Sequence, residues 1–316
     1  MRICSLLPAA TEILFAIGAG ADVVGVTHEC DYPPEAASRP PLIHPRIDAR
    51  AAAGEIDRQV RECVERGQSV YVVDAERLRE IDPDLIVTQD LCHVCAASPD
   101  DLAAALARFD KPPRLLSLTP QKLADVWESI RALGDATGCL VAAEALVGRL
   151  EARIGAVEAE MRSAAPVRTL CLEWLDPPFV AGHWVPEMVE LAGGIPVLAR
   201  AGVPSVALEW RVVLDSQPDE IVLMPCGYNL EKTLDEYSQA RLPSEWWDLP
   251  AARSGRVAAV DASSFFARPG PRLAGGVEIL ARILHPDLAT APAPPGSWAK
   301  AGRAAGSPES SPPSYA

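Results

Sequence analysis

The chain has 316 residues, 49% of them hydrophobic and 23% charged, which is enough to bury a substantial core in two compact lobes. A net charge of −14 denies it the basic face that nucleic-acid phosphates require. No apolar run reaches the roughly 20 residues needed to span a bilayer, because Pro8 and Glu12 interrupt the best candidate, 3–21.

Residues 2–6 read as a first strand, 11–18 as a helix with Glu12 in its first turn, and 23–26 as a second strand. Arg2 and the small residues Ala19, Gly20 and Ala21 imitate a signal peptide. Cleavage there would remove core, so the segment is expected to stay and the chain to be cytoplasmic, with periplasm or cell surface as the alternative. The eight cysteines are then expected as buried small hydrophobes, ligands or redox groups rather than disulfides.

A loop at 27–34 and a Pro-rich passage to 48 precede a helix at 55–66, a strand at 69–73, a helix at 76–81 and a strand at 84–88. That last strand runs into 88–98, TQDLCHVCAAS, which presents Cys92 and Cys95 before a helix capped by Ser98, with Pro99 at its first position. The helix reaches about 109, and a strand at 114–118 completes a parallel α/β lobe, 1–118. From 119 to 165, Leu123, Val126, Trp127, Ile130 and Leu133, then Leu146, Leu150, Ile154, Val157 and Met161, recur at helical spacing with a break near Gly134 and Gly138. This is read as a rigid helical connector.

The second lobe, 166–286, repeats the plan: strand 168–173, helix 186–191, helix 211–216, strand 220–224, helix 230–239, a Trp-rich turn at 245–247, strand 257–260 and helix 269–284. Residues 287–316, rich in Pro, Ala, Gly and Ser, are expected to be disordered. The repeat is visible residue by residue, since Pro83-Asp84-Leu85-Ile86-Val87 matches Pro218-Asp219-Glu220-Ile221-Val222 and each run leads to a cysteine, Cys92 or Cys226. The fold class is therefore α/β: two Rossmann-like parallel-sheet lobes joined by a long helical connector. Ligands of open α/β sheets bind at the carboxyl ends of the strands, which here face each other across a cleft.

Cys30, Cys92, Cys95 and Cys226 fall in loops just after strands, whereas Cys4, Cys63, Cys139 and Cys171 fall within strands or helices. Four loop thiolates suit a soft metal such as zinc, an iron-sulfur cluster, or axial contact to a metal-containing ligand, with His28 and His93 as further ligands. Unrelated loop cysteines are an equally open reading. A thiol-disulfide oxidoreductase is a weaker one, because Ala96 and Ala97 separate Cys95 from the helix cap. Aromatic residues are only 5% of the chain, yet Tyr32, Trp174, Phe179, Trp184, Tyr228, Phe265 and Phe266 lie in loops that follow strands, beside Arg268. Rings at a cleft edge supply stacking area for a flat ligand, and Arg268 supplies donors for an amide or carboxylate; several of the rings are expected to pack under their own loops. There is no Gly-rich phosphate loop, Gly-x-Ser-x-Gly elbow or His-Glu-x-x-His, so nothing indicates a hydrolase or a nucleotide enzyme.

The stretches 5–12 (SLLPAATE), Asp31-Tyr32-Pro33-Pro34, Pro83-Asp84-Leu85-Ile86, Pro177-Pro178-Phe179 before Gly182, and Phe265-Phe266-Ala267-Arg268 with Pro271-Arg272 together resemble the helical-backbone (class III) substrate-binding proteins of ABC transporters, which carry cobalamin and iron-siderophores. The resemblance covers 2–284. It implies two lobes joined by one long helix, a ligand held between them with little movement, docking on an ABC permease, and no catalysis. It further implies that Phe179, Phe265 and Arg268 line a corrinoid pocket and that the 28–32 loop, with Glu29 and Tyr32, forms another wall. THECDYP, QDLCHVC and MPCGYN are similar to a subgroup labelled cobalamin-binding, whose chains start at the first strand. The expected protein is a monomer that holds cobalamin or a related metal chelate. Trp174, Phe179, Trp184, Tyr228, Phe265 and Phe266 would stack on the ligand, Arg268 would meet its periphery, and the four loop cysteines would meet metal. A cytoplasmic thiolate-ligated metal or iron-sulfur protein on the same scaffold is the alternative.

Overall fold

Ile3, Cys4 and Ser5 are all buried, as a strand covered on both faces requires, and β1 (Ile3–Ser5) runs through the middle of a parallel sheet. The computed structural model describes residues 1–49, 51–89, 99–107 and 109–302. After β1 come α1 (Pro8–Ala16), β2 (Val23–Gly25), β3 (Ile43–Pro45), α2 (Ala53–Glu65), β4 (Tyr71–Val73), α3 (Ala75–Ile81), β5 (Leu85–Gln89), α4 (Pro99–Leu106) and β6 (Arg114–Leu118). The first sheet has the order β2-β1-β5-β6, parallel throughout. β4 departs from the expectation of a strand in that sheet, because it pairs antiparallel with β3 in a separate ribbon. Val72 is exposed and Tyr71 and Val73 are half-buried, which suits a one-sided ribbon and not an interior strand.

The connector is two helices, α5 (Leu123–Thr137) and α6 (Leu140–Met161). Gly138, at φ 72°, ends α5: its N–H donates to the Asp135 carbonyl (3.3 Å) and that of Cys139 to the Gly134 carbonyl (2.7 Å). Gly134 allows the helices to touch, since a Cβ there would lie 2.5 Å from the Ala143 Cβ. Only α6 is the long strut. Its 22 residues rise roughly 33 Å and bury a stripe of Ala143, Leu146, Val147, Leu150, Ile154, Val157 and Met161.

The second lobe continues with β7 (Val167–Leu175), β8 (Pro178–Val180), α7 (Val185–Leu191), β9 (Gly194–Pro196), β10 (Val206–Ala207), α8 (Trp210–Asp215), β11 (Glu220–Leu223), α9 (Leu230–Gln239), α10 (Pro250–Arg253), β12 (Val257–Val260), α11 (Ala262–Phe265), α12 (Leu273–Leu284) and β13 (Trp298–Lys300). Its sheet order is β10-β8-β7-β11-β12-β13, with β9 also on β7. The centre is parallel, but β8 pairs antiparallel with both β7 and β10, and β13 antiparallel with β12, so this lobe is mixed. The expected disorder of 287–316 fails for its described part. Trp298, Ala299 and Lys300 pair with Val260, Ala259 and Ala258, and Ala301 is buried behind them; residues 303–316 lie outside the described residues.

One continuous core joins the lobes. It runs from the inner face of the first sheet (Ile3, Leu85, Val87) through the α5 and α6 stripes to α7, α12 and the inner face of the second sheet (Cys171, Val222, Ala258). Alternate residues on the same strands face outward into separate clusters, Cys4 and Ile86 in one lobe and Leu170, Leu172 and Ile221 in the other. Sharing apolar core makes the lobes a coupled body and not two beads on a linker.

The internal repeat extends to hydrogen bonds. Asp82 and Gln217 both adopt left-handed φ, 46° and 45°, before Pro83 and Pro218. The carboxylates of Asp84 and Asp219 then accept from the backbone N–H groups of Arg2 (2.7 Å) and Arg168 (3.2 Å), and those arginines donate to the ends of the preceding helices, at the carbonyls of Ile81 (2.8 Å) and Ser216 (2.8 Å). Asp84→Ala is expected to lower stability by about 1 kcal/mol, measured by urea denaturation, since the acceptor is charged but solvent-accessible.

Candidate functional site between the lobes

The first motif explains one side of the cleft. Pro8 opens α1, and Thr11 on its inner face donates to the Ser5 hydroxyl (2.8 Å) and contacts the Cys30 sulfur (3.1 Å). This places Glu12 toward the second lobe. Its carboxylate, 2% exposed, accepts from Arg272 Nε (2.9 Å) and Nη2 (2.6 Å), with Arg268 Nη1 at 3.5 Å. Arg268 also binds both oxygens of Asp31 (2.5 and 3.3 Å) and the Glu29 carbonyl (3.0 Å). The Arg272 guanidinium lies 4.4 Å above the Tyr32 ring and 5.9 Å from that of Phe265. Burial works against the Arg268 charge, but Asp31, Glu12 and Glu29 more than offset it and hold its pKa above the ordinary value.

The other side is an aromatic platform. Trp174, near the end of β7, stands opposite Phe179 in β8 and meets Tyr228 edge-on at 5.3 Å, while its Nε1 donates to the Asp176 carbonyl (3.1 Å). Tyr228 is 3% exposed; its hydroxyl finds no partner among the described residues, and burial pushes its pKa up. Lys232 Nζ sits 3.8 Å over the Tyr228 ring and donates to the Ala49 carbonyl of the other lobe (3.0 Å). Burial lowers the Lys232 pKa, and Glu236 and Asp48 oppose that fall. The Ala53 N–H donates to Glu236 (3.4 Å), so Ala49 and Ala53 both bond to the second lobe. A cavity of about 550 Å³ opens beside them, lined by charged residues of α2 and by Asp176 and Pro177.

The family described as periplasmic binding protein matches residues 3–263. The chain belongs to that family. A vitamin B12-binding protein from Vibrio cholerae is 24% identical over 281 residues, 88% of this chain and 86% of its own. Among solved structures, the periplasmic heme-binding protein RhuT from Roseiflexus sp. RS-1 in apo form has 28% identity and a TM-score of 0.68, covering 90% of this chain and 98% of its own. A periplasmic heme-binding protein from Pseudomonas aeruginosa has a TM-score of 0.72 at 17% identity, covering 96% and 99%, and shares the fold.

In this substrate-binding protein the expected site residues divide. Trp174, Phe179 and Phe265 are partly exposed and Tyr32 is 46% exposed, as ring-stacking positions require. Trp184 and Phe266 are buried instead, because Trp184 Nε1 donates to the Phe266 carbonyl (2.8 Å) and fixes both beneath the loop. Arg268, expected at the ligand periphery, is occupied by protein carboxylates. Glu29 is exposed at the cleft loop, and His28 Nδ1 is held at the Ile43 carbonyl (2.9 Å).

Two of the four loop cysteines expected to meet metal, Cys30 and Cys226, lie within the described residues. Cys30 is 3% exposed and packed in the core, held by Thr11 and Thr27 (3.3 Å), and burial pushes its thiol pKa up despite those bonds. Cys226 is exposed. Cys92, Cys95 and His93 lie outside the described residues. Among the described residues no group of three or more His, Cys, Asp or Glu is arranged to hold a metal. Alkylation of the native protein, mapped by peptide mass, is expected to label Cys226 within minutes and to leave Cys30 unlabelled until denaturant is added. The residues that sequence reading missed are Glu12, Asp31, Arg272 and Lys232. The first three sit inside the quoted motifs, whereas Lys232 carries no signal beyond its place on α9, one turn after Tyr228.

Proposed function

We propose that this chain is the binding component of an ABC uptake system and holds cobalamin between its lobes, delivering it to a membrane permease. One observation carries the reading: partly exposed rings from both lobes, Tyr32 on one side and Trp174, Phe179 and Phe265 on the other, line the carboxyl ends of two facing sheets. A flat, largely apolar macrocycle matches that surface. The curated relatives named for vitamin B12 support cobalamin, and the solved relatives named for heme make heme the second reading. In a cytosolic location the same site would serve storage or hand-over, and cell fractionation separates the two roles.

Titration with cyanocobalamin, followed by tryptophan fluorescence and by calorimetry, tests the proposal. Saturable binding at one site per chain supports it, and a flat titration with folded protein sinks it. Trp174→Ala is expected to weaken binding by about 2 kcal/mol, roughly thirtyfold, as loss of a central aromatic anchor does. The same experiment with hemin tests the second reading.

A further inference from the structure

We propose that the cleft selects chelates with an uncharged, amide-bearing rim and rejects those with a carboxylate rim. The inference rests on the ligand-binding reading above and narrows its substrate class. A carboxylate-bearing ligand needs a cation that is free when it arrives. Among the described residues, three cations have contacts that cross the cleft, and each is already engaged from within: Arg268 by Asp31 at 2.5 Å and by Glu12, Arg272 by Glu12 at 2.6 Å, and Lys232 by the Ala49 carbonyl at 3.0 Å and the Tyr228 ring, with the charges of Glu236 and Asp48 nearby. Four carboxylates thus stand against three cations, and Asp176, beside Gly54 at the lobe junction, adds a fifth. The cations of the neighbouring α2 are committed likewise, Arg58 to Glu55 and Glu62 and Arg61 to Asp57.

A ligand carboxylate could reach Arg268 only by displacing Asp31, which exchanges one ion pair for another and adds a negative charge to a cleft with a negative surplus. An amide rim meets no such penalty. Its carbonyl accepts from Lys232, which has N–H groups beyond the one given to Ala49, and its N–H donates to Glu29, Asp31 or Asp176 while the internal pairs stay intact. The chain's overall charge of −14 pushes in the same direction at long range.

Two matched ligand pairs test the inference, each varying rim charge on a constant ring and metal. The fully amidated corrin is compared with the cobyrinic acid whose rim groups are carboxylates, and hemin dimethyl ester is compared with hemin. The uncharged member of each pair that binds is expected to be at least about tenfold tighter, a gap that shrinks as salt is added. Asp31→Asn, on a side chain 67% exposed, frees Arg268 and is expected to narrow the gap several-fold by improving the carboxylate member. Equal or tighter binding of the carboxylate member, or an Asp31→Asn gap identical to wild type, overturns the charge selection. Binding of the porphyrin pair alone, with the ester preferred, overturns the cobalamin reading and leaves the charge selection standing. Binding of neither pair by folded protein overturns both.

Discussion

Glu12→Ala is expected to lower the free energy of unfolding by about 3–5 kcal/mol, the cost of removing one partner from a buried ion cluster. The side chain is 2% exposed and is the acceptor through which α1 holds the second lobe. Without it the Arg272 guanidinium loses its carboxylate partner, keeping only the faces of Tyr32 and Phe265, and Arg268 retains the Glu29 carbonyl and, as its one carboxylate, Asp31, which is largely in solvent. The charges that remain are poorly hydrated, and their desolvation is no longer offset. Glu12→Gln keeps the shape and one acceptor oxygen and is expected to cost less, while Asp31→Asn is expected to cost under about 1 kcal/mol because that pair is exposed. Urea rather than guanidinium chloride is the denaturant to use, since salt would screen the interaction being measured. A loss for Glu12→Ala no greater than for Asp31→Asn would show that the cluster does not hold the lobes together.

What could be read beforehand divides along physical lines. Leu85, Ile86 and Val87, and Ile221, Val222 and Leu223, are buried on both faces, and a strand of that kind announces itself as an apolar run after Pro-Asp. The two-lobed plan and its repeat were legible for that reason, and the repeat continues into the caps made by Asp84 and Asp219. β3, β8, β9, β10 and β13 were not, because strands of two or three residues are decided by what they lie against. Trp298–Lys300 shows this best: the composition around it resembles a solvated tail, yet Val257 to Val260 offers a free edge, and pairing there covers it.

At the site, sequence placed the rings after the strands but could not say which rings face the cleft. Trp184 turns inward because its N–H has a buried carbonyl partner, an interaction spanning 82 residues. Arg268 looked like a ligand donor because its acceptors, Asp31 and Glu12, lie 237 and 256 residues away. Cys30 looked like a ligand because loops after strands are exposed on average, whereas here Thr11 and Thr27 draw the sulfur into the core.

Trp246→Ala is the second substitution with a large expected effect, about 3–5 kcal/mol, as for other large-to-small changes of buried aromatics. The ring is 0% exposed on the outer face of the second sheet, edge-on to Trp210 at 5.8 Å, with its Nε1 donating to the Tyr237 hydroxyl (3.2 Å). Alanine would leave a cavity among Val213, Leu249 and Val257 and would strand that hydroxyl, itself buried. Trp246→Phe separates the two contributions, since it restores most of the volume but not the donor; paired with Tyr237→Phe it closes a double-mutant cycle on the hydrogen bond alone. The location predicts a second result. Trp246 packs on the strand residues that alternate away from the cleft, so ligand affinity in the folded variant should match wild type while stability falls. Because one apolar core runs through both lobes, the loss should appear as a single shifted transition by fluorescence and by far-UV circular dichroism alike. Two separated transitions, with the second lobe melting first, would mean that α5 and α6 join the lobes without coupling their stabilities.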